Sequence, residues 1–299
     1  MTHISPKKGT WLSVFSGLLY GSLGYFGVVL MKAGFSVANL SFWRFLIAFV
    51  FIIIVFVVKK EKYNASFSEL TQAFINGAIF YTTPAVLFFM ATKKIGTGQA
   101  MVVFFVYPAF VMLLNWWFLK QKLKLYFFVC FAIILTGLVF LIDVGEVSFD
   151  IIGIGLSVLA AFFYAVYVFW SKKSKLSPVV STMMISFGCV VSSLLFALLE
   201  GSLIAPNALD QWLNILAIGL VCSAIPILLL LEAIKHISAD KASLLSVTEP
   251  ISTIIIGVVL LDEVVRLNTI IGILLTLIGA LSIMIDYKKL VNLLYKKNN

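Results

Sequence analysis

A glutamate followed by a proline, Glu249-Pro250, lies about ten residues inside an apolar run that extends from Ala239 to Val265. The run is long enough to cross a bilayer, and a rise of about 1.5 Å per residue places the carboxylate near the middle of the membrane. The proline removes one backbone hydrogen bond and bends the helix at that depth. An ionisable group at the bilayer centre costs roughly 2.5–3.5 kcal/mol, so a chain that retains one generally uses it. We therefore predict that Glu249 binds a ligand or exchanges a proton; a structural glutamate neutralised by a partner is the alternative.

Polar side chains surround Glu249 at helical spacing. Ser246, Glu249 and Thr253 are three and four residues apart, which places them on one face of a helix. In an earlier apolar segment, Gln99 and Tyr107 also share a face, and Tyr107 takes the position that corresponds to Glu249 in the repeat described below. We predict that the binding site lies between these two faces.

Tyrosines in the apolar segments would give this site apolar walls with a rim of hydroxyl groups, which suits a small amphipathic metabolite such as an amino acid. Two of them are three residues apart on one face and belong either to the cavity wall or to an aromatic belt at the interface. The candidates are Tyr20, Tyr81, Tyr107, Tyr164 and Tyr167, the last two forming that pair.

Arg44 is the other charge within an apolar segment, about six residues from its start. An arginine at that depth can extend its guanidinium to the interface, which favours a structural or topological role. A role in coupling or gating, as counter-ion to Glu249 or to a substrate carboxylate, is the alternative.

The segment around Glu249 has a counterpart earlier in the chain. A shift of 142 positions lays Ala91–Gly137 over Ala233–Gly279 without a gap, and Pro108 then falls on Pro250. Nine of the 47 positions are identical, which is modest for apolar sequence, so the paired prolines are the stronger evidence. The two prolines predict interrupted helices near mid-membrane and are candidates for gating.

The composition excludes a soluble globular domain. Apolar residues make up 62% of the chain, charged residues 12%, and the mean hydropathy is +1.11, whereas soluble domains are nearer 45–50% apolar. The net charge of +9 comes from lysine clusters between apolar segments, which indicate topology and argue against a nucleic-acid partner. Three single cysteines indicate neither a disulfide nor a metal site, and the motifs of intramembrane enzymes and of ATP-driven pumps are missing. We predict no enzyme activity and no cofactor.

Ten apolar windows predict an all-α membrane protein, because an open sheet cannot satisfy its backbone in lipid. The first window is interpreted as a helix and not as a removed signal peptide. Its glycines, Gly17, Gly21, Gly24 and Gly27, predict close helix packing, with a sliding gate as the alternative. The windows cover about 11–31, 38–58, 70–92, 97–119, 124–142, 151–171, 178–199, 211–233, 239–261 and 267–286.

The basic residues predict the orientation. With both termini in the cytoplasm, 17 of them lie inside and four outside. Each half, 1–145 and 146–299, holds five helices, so the second half enters the membrane from the opposite side. We therefore predict two inverted five-helix repeats around a central cavity, an arrangement typical of secondary transporters that work by alternating access.

Several short motifs resemble one known family. The second half begins its ninth helix with alanines, has the Glu249-Pro250 pair and then an acidic helix end, Asp262-Glu263, while FWRFLIA at 42–48 resembles an arginine motif of helix 2. These features are similar to those of the EamA-type drug/metabolite transporters over nearly the whole chain. The resemblance implies ten helices around a cavity and export of amino acids, related metabolites or toxic compounds across a bacterial inner membrane without ATP. The first repeat departs from the pattern, because Lys120-Gln121 stands where the family often has an acidic residue.

The leading interpretation is a secondary transporter for a small organic metabolite, with the lipid bilayer as its environment and protons as the candidate coupling ion. A carrier of a larger solute such as S-adenosylmethionine is the alternative within the same superfamily, and a non-transporting membrane scaffold is the alternative from another class. A homodimer is left open.

Overall fold

The computed structural model describes residues 4–61, 65–122, 125–140, 150–261 and 267–284. These residues form helices and short connections, and they contain no strand. The helices are α1 (Pro6–Tyr20), α2 (Leu23–Lys32), α3 (Val37–Val58), α4 (Phe67–Ile75), α5 (Thr82–Ile95), α6 (Thr97–Phe104), α7 (Tyr107–Leu119), α8 (Leu125–Phe140), α9 (Ile151–Lys173), α10 (Pro178–Leu199), α11 (Leu209–Gly219), α12 (Ile225–His236), α13 (Ala239–Leu245), α14 (Thr248–Leu261) and α15 (Leu267–Met284). Two π-helical segments, Asn76–Tyr81 and Leu220–Ala224, join α4 to α5 and α11 to α12.

These elements make up ten spans. Spans 1, 3, 4, 8 and 9 each consist of two consecutive helices (α1–α2, α4–α5, α6–α7, α11–α12 and α13–α14), and the other spans are α3, α8, α9, α10 and α15. Within the described residues, the helices of spans 1–4 and 6–8 are long and apolar enough to cross a membrane, shorter apolar helices lie in spans 5 and 10, and span 9 is formed by the short helices α13 and α14. The all-α membrane class is confirmed, and the ten spans match the predicted number. The predictions on Asp262-Glu263 and on the lysines of the C-terminal tail fall outside the described residues.

Serine residues begin many of the helices. Ser36, Ser66, Ser177 and Ser238 each accept a hydrogen bond from a main-chain N–H of the first turn, and Ser66 forms a reciprocal capping box with Glu69. Such caps satisfy N–H groups that the helix itself leaves free. The serine-rich connections of an otherwise apolar sequence therefore set the points at which the helices start.

Spans 4 and 9 are interrupted as the prolines predicted. The helix of span 4 stops after Phe104 and resumes at Tyr107, and that of span 9 stops after Leu245 and resumes at Thr248. Pro108 and Pro250 are the second and third residues of the resumed helices, where a missing N–H costs little. Both prolines are buried in the protein.

The repeat extends beyond the segment that the sequence comparison found. The two π-helical segments lie in spans 3 and 8, and a shift of 142 positions also pairs Gly77 with Gly219 and Pro84 with Pro226. Each glycine of that pair admits a neighbouring helix: a Cβ on Gly77 would lie 2.0 Å from the carbonyl oxygen of Ile185. The two halves therefore share the irregularities of their third helices as well as those of their fourth.

Helices from both repeats combine in each of two bundles. Spans 3, 4 and 6 contact one another and are called the first bundle; spans 1, 8 and 9 do the same and are called the second bundle. The shift of 142 positions maps one bundle onto the other. Spans 2 and 7 pack together, as do spans 5 and 10. The ends of spans 4, 6 and 8 meet the starts of spans 1 and 9, as ten alternating crossings require, and this end of the molecule is called the N-terminal end.

Candidate functional site

A cavity lies between the two bundles, on the side of the helix breaks that faces away from the N-terminal end. The volume that the centre of a water molecule can reach is about 50 Å³, several times the roughly 10–15 Å³ that one buried water needs. The space therefore holds several waters or a small solute. The lining consists of Tyr20, Leu23, Arg44, Tyr81, Pro84, Ala85, Phe88, Met101, Phe104, Tyr164 and Glu249.

Four of the predicted substrate-binding residues line this cavity: Tyr20, Tyr81, Tyr164 and Glu249. The hydroxyls of Tyr20 and Tyr81 are 2.9 Å apart and hydrogen-bonded, which joins span 1 to span 3 across the cavity wall. The rings of Tyr81 and Tyr164 lie 6.1 Å apart between centroids. Tyr164 thus belongs to the cavity wall and not to an aromatic belt.

Glu249 reaches the cavity from the first turn of α14, directly after the break in span 9. The break places its carboxylate at the level where the first bundle faces the second. Arg44 reaches the same cavity from α3 and is 1% exposed, so the interpretation that it extends to the membrane interface is wrong. Its carbon Cζ lies 4.5 Å from the ring centre of Phe45, which covers one face of the guanidinium.

The other predicted site residues lie outside the cavity lining. The hydroxyl of Tyr107 donates to the carbonyl of Ser243 at 2.9 Å, and Ser246 donates to its own helix. Thr253 donates to the carbonyl of Gly21 at 3.0 Å. The list is completed by Gln99, which is buried in the first turn of α6, and Tyr167, which is buried behind Tyr81 with ring centroids 4.7 Å apart. No described residues form a cluster of three potential metal ligands.

Two glycines of span 1, Gly17 and Gly21, pack against α14, the helix that carries Glu249. A Cβ on Gly17 would lie 2.2 Å from the Thr248 hydroxyl, and a Cβ on Gly21 would lie 2.7 Å from the carbonyl oxygen of Glu249 itself. Thr248 also donates to the carbonyl of Val14 at 3.0 Å. Close packing, the predicted role of the glycine stripe, is confirmed at Gly17 and Gly21, and it fixes the position of Glu249 against α1.

Two lysines close the N-terminal end between the bundles. Lys172, in the last turn of α9, donates to the carbonyls of Ile234 and Ile237 at the end of α12, the latter at 2.9 Å. Lys235, in the last turn of α12, donates in turn to the carbonyl of Ser174 just after α9. Each lysine therefore caps the C-terminus of the other bundle's helix, where carbonyls lack partners and the helix dipole is negative.

Further polar contacts strengthen this closed end. Asn115 near the end of α7 donates to the carboxylate of Asp240 at the start of α13, which is a second link between the bundles. Within the second bundle, Lys8 forms an ion pair with Glu232 at 2.6 Å, and His236 contacts the same carboxylate at 3.2 Å. The cavity is thus sealed from the N-terminal end by charged and amide groups.

Sequence reasoning missed the apolar part of the lining, formed by Leu23, Pro84, Ala85, Phe88, Met101 and Phe104. Pro84 could have been found, because Pro226 lies 142 positions later and extends the repeat. The others are apolar residues in apolar helices, and their type carries no signal of a cavity.

The comparisons with known proteins agree with this architecture. An uncharacterised transporter of Clostridium kluyveri is 24% identical over 233 residues, which is 75% of each chain. The uncharacterised transporter YdfC of Bacillus subtilis is 22% identical over 284 residues, or 93% of this chain and 89% of the relative. A crystal structure with 17% sequence identity has the same fold, with a TM-score of 0.81 over 93% of this chain and 98% of that chain. The model of the EamA-like transporter family matches residues 7–143 and 151–285. The chain therefore belongs to the EamA-like transporter family: it is a multi-pass membrane protein that transports small molecules.

Proposed function

We propose that this protein is a secondary transporter that exports amino acids or related small amphipathic metabolites across a bacterial inner membrane, with both termini in the cytoplasm. The observation that carries the proposal is the cavity between the bundles, to which the first repeat contributes one strongly basic side chain and the second repeat one carboxylic acid. Arg44 comes from the first repeat and Glu249 from the second, with the boundary between the repeats at about residue 145. Charged groups inside a membrane protein are costly and generally face a substrate or ion path.

The geometry of the two bundles supports alternating access as the mechanism. The cavity is sealed at the N-terminal end by Lys172, Lys235 and the Asn115–Asp240 contact. Because the bundles are related by the repeat, a rocking motion can close the opposite end and open this one, and the same cavity then faces each side in turn. No ATP is needed for such a cycle when a second solute supplies the driving force.

Protons are the proposed second solute. Glu249 is 9% exposed, and it shares the cavity with Arg44, Tyr20, Tyr81 and Tyr164. Tyr107 and Cys222 are close enough to interact electrostatically with its carboxylate. Arg44 is the cation among these five cavity residues. A carboxyl group in this setting can be neutralised either by a proton or by the positive group of a substrate, so the binding of one excludes the other.

Flux into proteoliposomes that contain the purified protein tests the proposal. We expect saturable uptake that responds to a pH gradient and is inhibited by competing amino acids. Glu249→Gln should abolish the dependence on the pH gradient, whereas Glu200→Gln, an exposed residue at the end of α10, should preserve it. Flux equal to that of empty vesicles would favour the scaffold, and unchanged coupling in Glu249→Gln would refute the proton role.

A further inference from the structure

Arg44 is a buried cation whose hydrogen-bonding groups are incompletely used. Its Nε and Nη1 atoms are buried and have no hydrogen-bond partner within the described chain. No carboxylate of a described acidic residue, Glu249 included, comes within 4.0 Å of the guanidinium. A buried donor without a partner costs about 1–3 kcal/mol, and more when it is charged. The protein thus retains an unsatisfied arginine in a cavity that it shares with Glu249.

The chemistry of the cavity indicates what satisfies this arginine. A planar guanidinium binds carboxylates and phosphates through two parallel hydrogen bonds. A phosphate would leave the cavity strongly negative, because Glu249 adds another negative charge. A carboxylate on Arg44 together with an ammonium group on Glu249 leaves the cavity neutral, and neutrality is favoured inside a membrane.

We infer that Arg44 is the carboxylate-binding group of the transport site and that Glu249 binds the ammonium group of the same substrate. The remainder of the substrate then lies against Phe88, Met101 and Phe104, which make the wall apolar. The substrate class is a zwitterion with an apolar side chain that is small enough for this cavity. The inference rests on the proposed transport function and assigns the residues that select its substrate.

Matched probes separate the two subsites. Leucine is compared with 3-methylbutylamine, which lacks the carboxylate, and with 4-methylpentanoate, which lacks the amine, as competitors of leucine uptake into proteoliposomes. We expect the wild-type protein to prefer leucine over the amine by roughly 10- to 150-fold, the value of one hydrogen bond to a charged group. Arg44→Met should remove that preference, Arg44→Lys should restore part of it, and Glu249→Gln should remove the preference over 4-methylpentanoate.

A stability measurement distinguishes a substrate-binding arginine from a structural one. Because two nitrogens of the Arg44 guanidinium are buried without a hydrogen-bond partner, Arg44→Met should unfold at the same temperature as the wild-type protein without substrate, or at a higher one. Leucine should raise the unfolding temperature of the wild-type protein and not that of Arg44→Met. A large drop in the unfolding temperature of Arg44→Met, or an unchanged ratio of leucine to amine inhibition, overturns the inference while the transport function stands. Vesicles that take up no leucine overturn both the inference and the amino-acid part of the proposed function.

Discussion

Replacement of Lys172 by methionine should open the transporter at its N-terminal end. The ammonium group of Lys172 donates to the carbonyls of Ile234 and Ile237 in the other bundle, and methionine retains an unbranched apolar chain, one atom shorter, without a donor. A hydrogen bond with a charged partner contributes about 1.5–3 kcal/mol. If one such bond holds the closed arrangement, its loss changes the ratio of open to closed molecules roughly 10- to 150-fold.

Accessibility of the cavity measures this change. A cysteine at Ala85, which lines the cavity, is introduced into a protein whose own cysteines, all buried, have been replaced. Labelling by a membrane-impermeant maleimide is then followed from each side of the membrane separately. The wild-type background should react from the side opposite the N-terminal end, and Lys172→Met should gain labelling from the N-terminal side by at least about tenfold.

Lys173→Met is the matched control. Lys173 is the next residue of α9, is exposed, and places its ammonium 4.4 Å from the ring centre of Phe169; it has no hydrogen bond to α12 in the described part of the chain. Its replacement should leave labelling from both sides unchanged. If Lys172→Met and Lys173→Met label alike, reciprocal capping by the lysines does not hold this end closed, and the closing force must come from other contacts.

Two further substitutions test the packing around the site. Gly21→Ala brings a methyl carbon within 2.4 Å of the Ser252 Cβ, so α1 and α14 must separate by about 1 Å. We expect the free energy of unfolding to fall by about 1–3 kcal/mol and transport to slow. Gly24→Ala is the control, because a Cβ there lies 3.4 Å from its nearest neighbour, and it should change neither thermal unfolding nor uptake. Tyr107→Phe removes a hydrogen bond to a main-chain carbonyl of α13 and should lower stability by about 1–3 kcal/mol in thermal unfolding, with leucine selectivity preserved because Tyr107 does not line the cavity.

The helix breaks were predictable from the sequence, whereas the direction of several side chains was not. Proline acts locally, so Pro108 and Pro250 indicate interruptions without knowledge of the fold. The predicted stripe of Ser246, Glu249 and Thr253 assumes one continuous helix. The break at residues 246 and 247 removes Ser246 from the regular helix, and Thr253 turns toward α1.

The depth of a residue in the membrane and the direction of its side chain also depend on different information. The position of Arg44 in its apolar window gave its depth, but the interpretation that it reaches the interface required a free path to water. In the structure α3 packs against α10 and the π-helical segment of span 8, and this packing directs Arg44 inward. Packing between distant segments decides where this side chain points, and a single apolar window of the sequence carries no information about such packing.

The repeat relates identical residues in the helix packing but different residues in the cavity, and this contrast leads to a last prediction. Gly77 and Gly219 are related by the repeat, and both lie against a neighbouring helix. A Cβ on Gly77 would lie 2.0 Å from the carbonyl oxygen of Ile185, and a Cβ on Gly219 would lie 2.6 Å from the Cβ of Ile47. Gly77→Ala and Gly219→Ala should therefore both lower the free energy of unfolding, by about 1–3 kcal/mol each.

The charged positions should behave differently from this scaffold pair. Arg44 and Glu249 correspond under the same shift to Ser186 and Tyr107, which are uncharged. A substrate that is held between the charges of Arg44 and Glu249, here called the charge diagonal, keeps one orientation while the two bundles exchange conformations. Substitution at Ser186 by alanine should thus preserve the selectivity for leucine over its amine that Arg44→Met removes, in the same uptake assay. Equal loss of selectivity at Ser186 and Arg44 would show that the site is symmetric and that the charge diagonal does not orient the substrate.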